Sequence, residues 1–69
     1  MQSSDSNILK GKVVKVVEGA VNCEVTLGIA PGVEIVSVIT KASAASLGLA
    51  EGKIASAVIK ASSVMVAVD

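Results

Sequence analysis

Between Val21 and Leu27 the chain alternates strictly. Val21, Cys23, Val25 and Leu27 fall on one face of an extended chain, and Asn22, Glu24 and Thr26 on the other. A period of two with one apolar face predicts a half-buried antiparallel strand. The runs on either side are also extended in character but pattern differently. Ile8 to Val17 is rich in valine and lysine. Val33 to Thr40 is apolar on both faces, with Val33, Ile35 and Ile39 opposed to Val36 and Val38, so both faces are expected to be covered, one of them by another subunit. Glu18-Gly19 reads as a hairpin turn between the first two strands. Pro31-Gly32 is the pair that a type II turn takes at its central positions. The predicted strands run from about Ile8 to Val17, Ala20 to Ile29 and Val33 to Thr40.

After Thr40 the period changes. "TKASAASLGLAEG" has no β-branched residue beyond its first threonine. Thr40 suits an N-cap and Gly48 the position just past a helix end, with Leu49 placed for the accompanying apolar contact. This predicts a short helix from about Lys41 to Leu47. "KIASAVIK" and "SVMVAV" then read as two more strands, joined at "KASS". The order β-β-β-α-β-β, mainly β with five strands and one helix between the third and fourth, is that of a small OB-like antiparallel barrel.

Composition constrains how such a domain survives. The 69 residues are 52% hydrophobic, yet contain no Phe, Trp or Tyr. Below about 70–80 residues one core rarely supplies more than about 3–5 kcal/mol, and disulfides, metals or assembly make up the difference. The single cysteine excludes an internal disulfide, and with no histidine a structural zinc site is excluded too. Assembly into a homo-oligomer is what remains, and it also explains how so apolar a chain stays in solution. Six lysines balance six carboxylates, and there is no arginine. Without a basic field or aromatic rings for bases to stack on, nucleic acid is not an expected partner. The polar start "MQSSDSN" is unlike a secretion signal, and no apolar run reaches the ~18 residues of a membrane helix. A lone cysteine fits a reducing compartment. The expected setting is the cytoplasm, with no membrane partner.

Catalysis is not expected: with no histidine and a single cysteine the usual catalytic triads are missing. Cys23 lies on the apolar face of its strand and reads as a small core residue. No set of side chains suggests direct ligands to a metal cation. What stands out is a density of hydrogen-bond donors with little countercharge: Ser3, Ser4 and Ser6 before the first strand, Ser43 in the first turn of the helix, and Lys60, Ser62 and Ser63 at the opposite end of the chain. Singly, these read as a polar tail, a helix start and a solvated turn. Brought together, they would form a pocket of donors around one positive charge, suited to a fully deprotonated oxyanion.

The ordered set Asn7-x-Leu9-x-Gly11-x-Val13, Gly19-x-Val21-x-x-Glu24-Val25, Ser43-x-x-x-Leu47-Gly48-Leu49 and Lys60-Ala61-Ser62 resembles the molbindin (Mop) family of small molybdenum-pterin-binding proteins, built from one TOBE-type domain. The resemblance runs from about Ser4 to Val68. It implies one domain over residues 1–69, with an N-terminal segment 1–6 and a barrel over 7–68. It also implies a homohexamer arranged as a trimer of dimers, and binding of molybdate or tungstate between subunits. The oxyanion site it implies comprises Ser4, the backbone of Asp5, Ser6 at the place of a family arginine, Ser43, Lys60, Ala61 and Ser62. A second type of site is implied near a threefold axis, with the turn from Gly19 to Asn22 as its candidate. Members commonly read Ser-Ala-Arg-Asn where this chain reads Ser4-Asp5-Ser6-Asn7. Losing one charge-assisted hydrogen bond costs on the order of 1.5–3 kcal/mol, roughly ten- to a hundredfold in affinity. Nothing in the residues supports a bound pterin, since no aromatic ring is present to stack on it.

Two expectations follow: an oxyanion-binding protein that stores or buffers molybdate or tungstate without turnover, or an assembly domain whose anion site has decayed with the loss of the arginine.

Overall fold

A computed structural model describes residues 5–69. Ser4, part of the expected oxyanion site, lies outside the described residues, as does Ser3. The elements are β1 (Ser6–Glu18), β2 (Asn22–Ala30), β3 (Val33–Thr40), α1 (Lys41–Leu47), β4 (Ile54–Lys60) and a single 3₁₀ turn (Ala61–Ser63). The four strands form one antiparallel sheet in the order β3-β2-β1-β4.

The sheet is curled. Twelve steps along β1 at about 3.3 Å each would span roughly 40 Å if the strand were straight. The longest dimension of the chain is 34 Å. The strand bends within its own length, helped by an irregularity in its pairing with β2 between Val13 and Lys15. Gly11 permits the bend: a Cβ there would meet the carbonyl oxygen of Gly28 at 2.5 Å. The inner face of the half-barrel collects the core of Val13, Cys23, Val25, Leu27, Ala44 and Ala57. Cys23 is a buried free thiol, in keeping with its place in the alternating pattern.

The helix has the bounds its sequence predicts. Thr40 caps it, its hydroxyl oxygen accepting the Ser43 N–H at 3.0 Å. Gly48 ends it with φ 64°, and the Gly48 and Leu49 N–H groups donate to the Ala45 and Ala44 carbonyls. These are the two bonds of a Schellman motif, which the αL residue makes possible. The Lys53 ammonium donates to the Leu47 carbonyl at the same end. The two hairpins also form as expected, with Gly19 N–H donating to Asn22 O and Gly32 at φ 77° after Pro31.

The fifth strand does not form. Residues 64–69 lie outside the sheet among the described residues, and Met65, Val66 and Val68 are 93%, 89% and 91% exposed. A strand exists only if a neighbouring strand completes its hydrogen bonds, and "SVMVAV" has its alternation but no partner among the described residues. With β3 and β4 unpaired to each other, the barrel stays open as a trough of about 470 Å³ lined by residues such as Val25, Leu27, Ile35, Ile39, Ala57 and Ile59.

Candidate functional site

The apolar trough is no place for an oxyanion, because a dianion stripped of water there would find few donors to replace it. The donors lie on the outer surface. Antiparallel pairing of β1 with β4 sets Ser6 directly opposite Lys60, at the end of the sheet. Two residues along, Ile8 faces Val58, and beyond them Lys10 faces Ser56. Ser6 is half-buried and Lys60 exposed. Among the described residues Lys60 has no ion-pair partner, so its charge is available.

The backbone holds this corner in shape. The Ala61 N–H donates to the Asp5 carbonyl at 2.9 Å, and Val64 N–H closes the 3₁₀ turn on the Ala61 carbonyl at 3.2 Å. The Ala61 N–H is therefore used within the chain, and Ala61 contributes shape at this corner. Ser62 is exposed in the same turn. Of the expected set, the fold thus gathers Asp5, Ser6, Lys60, Ala61 and Ser62.

Ser43 is not among them. Its helix begins at the opposite end of the sheet, where Lys41 N–H donates to Val21 O and the Lys41 ammonium lies 3.8 Å from a Glu18 carboxylate oxygen. Glu18 ends β1 and Ser6 begins it, so the whole strand separates the two. The Ser43 N–H is consumed by the Thr40 cap, and the Thr40 hydroxyl donates to Ser43 Oγ at 2.9 Å. What Ser43 retains is its own hydroxyl proton, exposed and able to donate outward. The turn from Gly19 to Asn22, the candidate for a second site, is exposed at this same end.

A further lysine–serine pair, Lys10 opposite Ser56, escaped the sequence reading. Its signal was the alternation of Lys10 with Lys12 and of Ser56 with Lys60, which becomes a pairing only when the register is known. No group of three or more metal-ligating side chains occurs among the described residues.

Comparison with known proteins adds the following. The family model of the TOBE domain matches residues 3–66. Molybdenum-pterin-binding protein 3 of Clostridium pasteurianum is 47% identical over 66 residues, covering 96% of this chain and 97% of its own length. MopA of Rhodobacter capsulatus, also named a molybdenum-pterin-binding protein, is 46% identical over 97% of this chain, which spans only 25% of that longer protein. Among solved structures, MopII from Clostridium pasteurianum superposes with a TM-score of 0.87 at 43% identity, covering 97% of this chain and all (100%) of MopII. A molybdate-bound form of ModG, described as a cytoplasmic molybdate-binding protein, gives 0.77 at 56% identity over 80% of this chain and 39% of its own.

Proposed function

The chain belongs to the TOBE-domain family, as a single domain of the molbindin type, and from that premise we propose that it binds molybdate or tungstate between subunits and holds it without chemical change. The observation that carries this reading is the Ser6–Lys60 pair: a hydroxyl and an ammonium without an ion pair among the described residues, set opposite each other by strand register at the sheet end. Lysine has only donors and serine can always turn to donate, so the pair suits an oxyanion that carries no proton of its own.

Ser43 is the other donor expected at the site, and it sits at the far end of the same chain. Its hydroxyl can join Lys60 only from a neighbouring subunit. The uncovered C-terminal valines and methionine and the open trough are further support for assembly, since water disfavours such surface by about 25 cal/mol per Å². The proposed assembly is a homohexamer, a trimer of dimers. Its role would be storage or buffering of the anion in the cytoplasm; no helix among the described residues is long and apolar enough to cross a membrane. Sulfate shares the donor chemistry, so discrimination against it would rest on pocket size.

Native mass spectrometry with and without tungstate tests the proposal. The expected result is an assembly of six 6.8 kDa chains that gains tungstate and gains none from equimolar sulfate. An assembly that takes up no anion would reduce the chain to an assembly domain with a decayed site.

A further inference from the structure

The outer face of β1 carries a row of lysines. Val13 on β1 and Ala57 on β4 are buried on the inner face, so their neighbours Lys12 and Ser56 point outward, as does Lys10 two places before Lys12. Past the irregularity at Val13, Lys15 lies opposite Thr26 on β2. Lys60 lies at the other end of the row, opposite Ser6.

At one place in this row two cations flank a hydroxyl. Lys10 is the register partner of Ser56 and Lys12 that of Ile54, so Ser56 is directly opposite one lysine and diagonal to the other. Alternate residues on a strand are about 6.6 Å apart, and a diagonal neighbour on the next strand lies about 7–8 Å away, within reach of a long side chain. All three residues are exposed. Among the described residues neither lysine has an ion pair, and the Ser56 hydroxyl makes no hydrogen bond. Two carboxylates come near without pairing. Glu34 shares the row of Lys12 across Gly28, about 10 Å away at the backbone. Glu51 precedes Gly52, whose N–H donates to the Val13 carbonyl. The other lysines of the row stand apart. Ser6 and Lys60 are four residues further along β1 and β4, about 13 Å. Lys15 lies beyond the irregularity and faces Thr26, which is buried, so it adds to the local field without sharing the contact.

We infer that Lys10, Lys12 and Ser56 form a second oxyanion site, contained within one chain, for tetrahedral dianions as a class. Two ammoniums balance a dianion, and the serine hydroxyl turns to donate a further bond. Nothing encloses the anion. Water and salt screen the charges, and ordering two lysine side chains costs conformational entropy, so binding is weak. The ammoniums ride on flexible stems and adjust to the size of their guest. This site therefore holds sulfate and tungstate alike, whereas discrimination by size is the proposed property of the Lys60 site. It needs no second copy of the chain, and it does not rest on the reading of Ser6 and Lys60.

Amide NMR of the full chain tests the site, with sulfate and tungstate titrated at an ionic strength held constant by chloride. K60A is the reference, because it silences the Ser6–Lys60 site. In K60A, saturable shifts are expected at Lys10, Lys12 and Ser56, with similar affinity for the two anions. K10Q/K12Q/K60A is expected to lose them, and S56A/K60A to weaken the binding severalfold. K10Q/K12Q with Lys60 intact is expected to keep the wild-type rise in melting temperature with tungstate. Shifts that are absent, that grow without saturation, that survive K10Q/K12Q/K60A, or that favour tungstate strongly over sulfate would overturn the inference. So would loss of the tungstate-induced rise in K10Q/K12Q, which would make the two sites one. Saturable binding in K60A, with no tungstate uptake that depends on Lys60, would leave this site standing and remove the reading of the other.

Discussion

Gly11 on β1 approaches Gly28 on β2 so closely that a Cβ on Gly11 would sit 2.5 Å from the Gly28 carbonyl oxygen and 2.8 Å from Ile29 Cδ1. The first contact is with backbone, which cannot swing aside as a side chain can. Here the long strand turns to close the half-barrel, and the absence of a side chain is what the turn needs.

Gly11→Ala is therefore expected to destabilise the domain by about 1–3 kcal/mol, the usual range for overpacking. The position is mid-strand with ordinary φ, so the cost comes from the clash and not from glycine's backbone freedom. Urea unfolding would show a lower midpoint; an unchanged midpoint would mean that the strands separate freely at this point.

Thr40 contributes through its hydroxyl, which caps α1 on the Ser43 N–H. Thr40→Ala should cost ~1 kcal/mol, and Thr40→Ser much less, because serine caps as well as threonine. The two variants compared by thermal unfolding separate the cap from the loss of a methyl group.

Lys60→Ala should abolish most of the stabilisation that tungstate confers while leaving the anion-free melting temperature near that of the wild type. The side chain is exposed and has no ion pair among the described residues, so the fold loses little with it. Removal of a charge-assisted hydrogen bond is worth roughly ten- to a hundredfold in affinity. Isothermal titration with tungstate reads this directly, and equal affinity in the two proteins would remove Lys60 from the site.

Ser6→Arg asks the converse. It places a guanidinium where the molbindin resemblance has one, opposite Lys60 in the strand register. Affinity for molybdate is expected to rise by about ten- to a hundredfold, since two cations then face a dianion. No gain would mean that Ser6 does not face the anion.

The helix and the turns were legible beforehand, whereas β1 begins two residues earlier and β2 two residues later than their patterns predict, and the 3₁₀ turn at Ala61–Ser63 had no signal. The helix from Lys41 to Leu47 follows from Thr40, Gly48 and a run without β-branched residues, and the hairpins from Gly19 and Pro31-Gly32. Each depends on bonds between residues a few positions apart, as in Ser43 N–H to Thr40 and Leu49 N–H to Ala44. The alternation from Val21 to Leu27 foretells that Cys23, Val25 and Leu27 are buried; Thr26, on the opposite face, is buried as well, and Val21, before β2 begins, is 70% exposed, because neighbouring strands and strand ends decide what covers each face. The family resemblance implies one site between subunits for these donors, but not which of them one chain brings together.

Pairing belongs to the tertiary structure. "SVMVAV" has the alternation of a strand and is none, because a strand's hydrogen bonds are completed by another segment and none of the described residues supplies them. Ser6 and Lys60, more than fifty positions apart, become neighbours through the β1–β4 register. Ser43, which the family resemblance groups with them, is carried to the other end by the length of β1. The amino-acid sequence by itself determined the elements, their caps and the inward faces, since these depend on near neighbours and on hydrophobic period. Register, strand order and the distance between Ser43 and Lys60 were decided only in three dimensions, where the hydrogen bonds of the sheet set one distant segment against another.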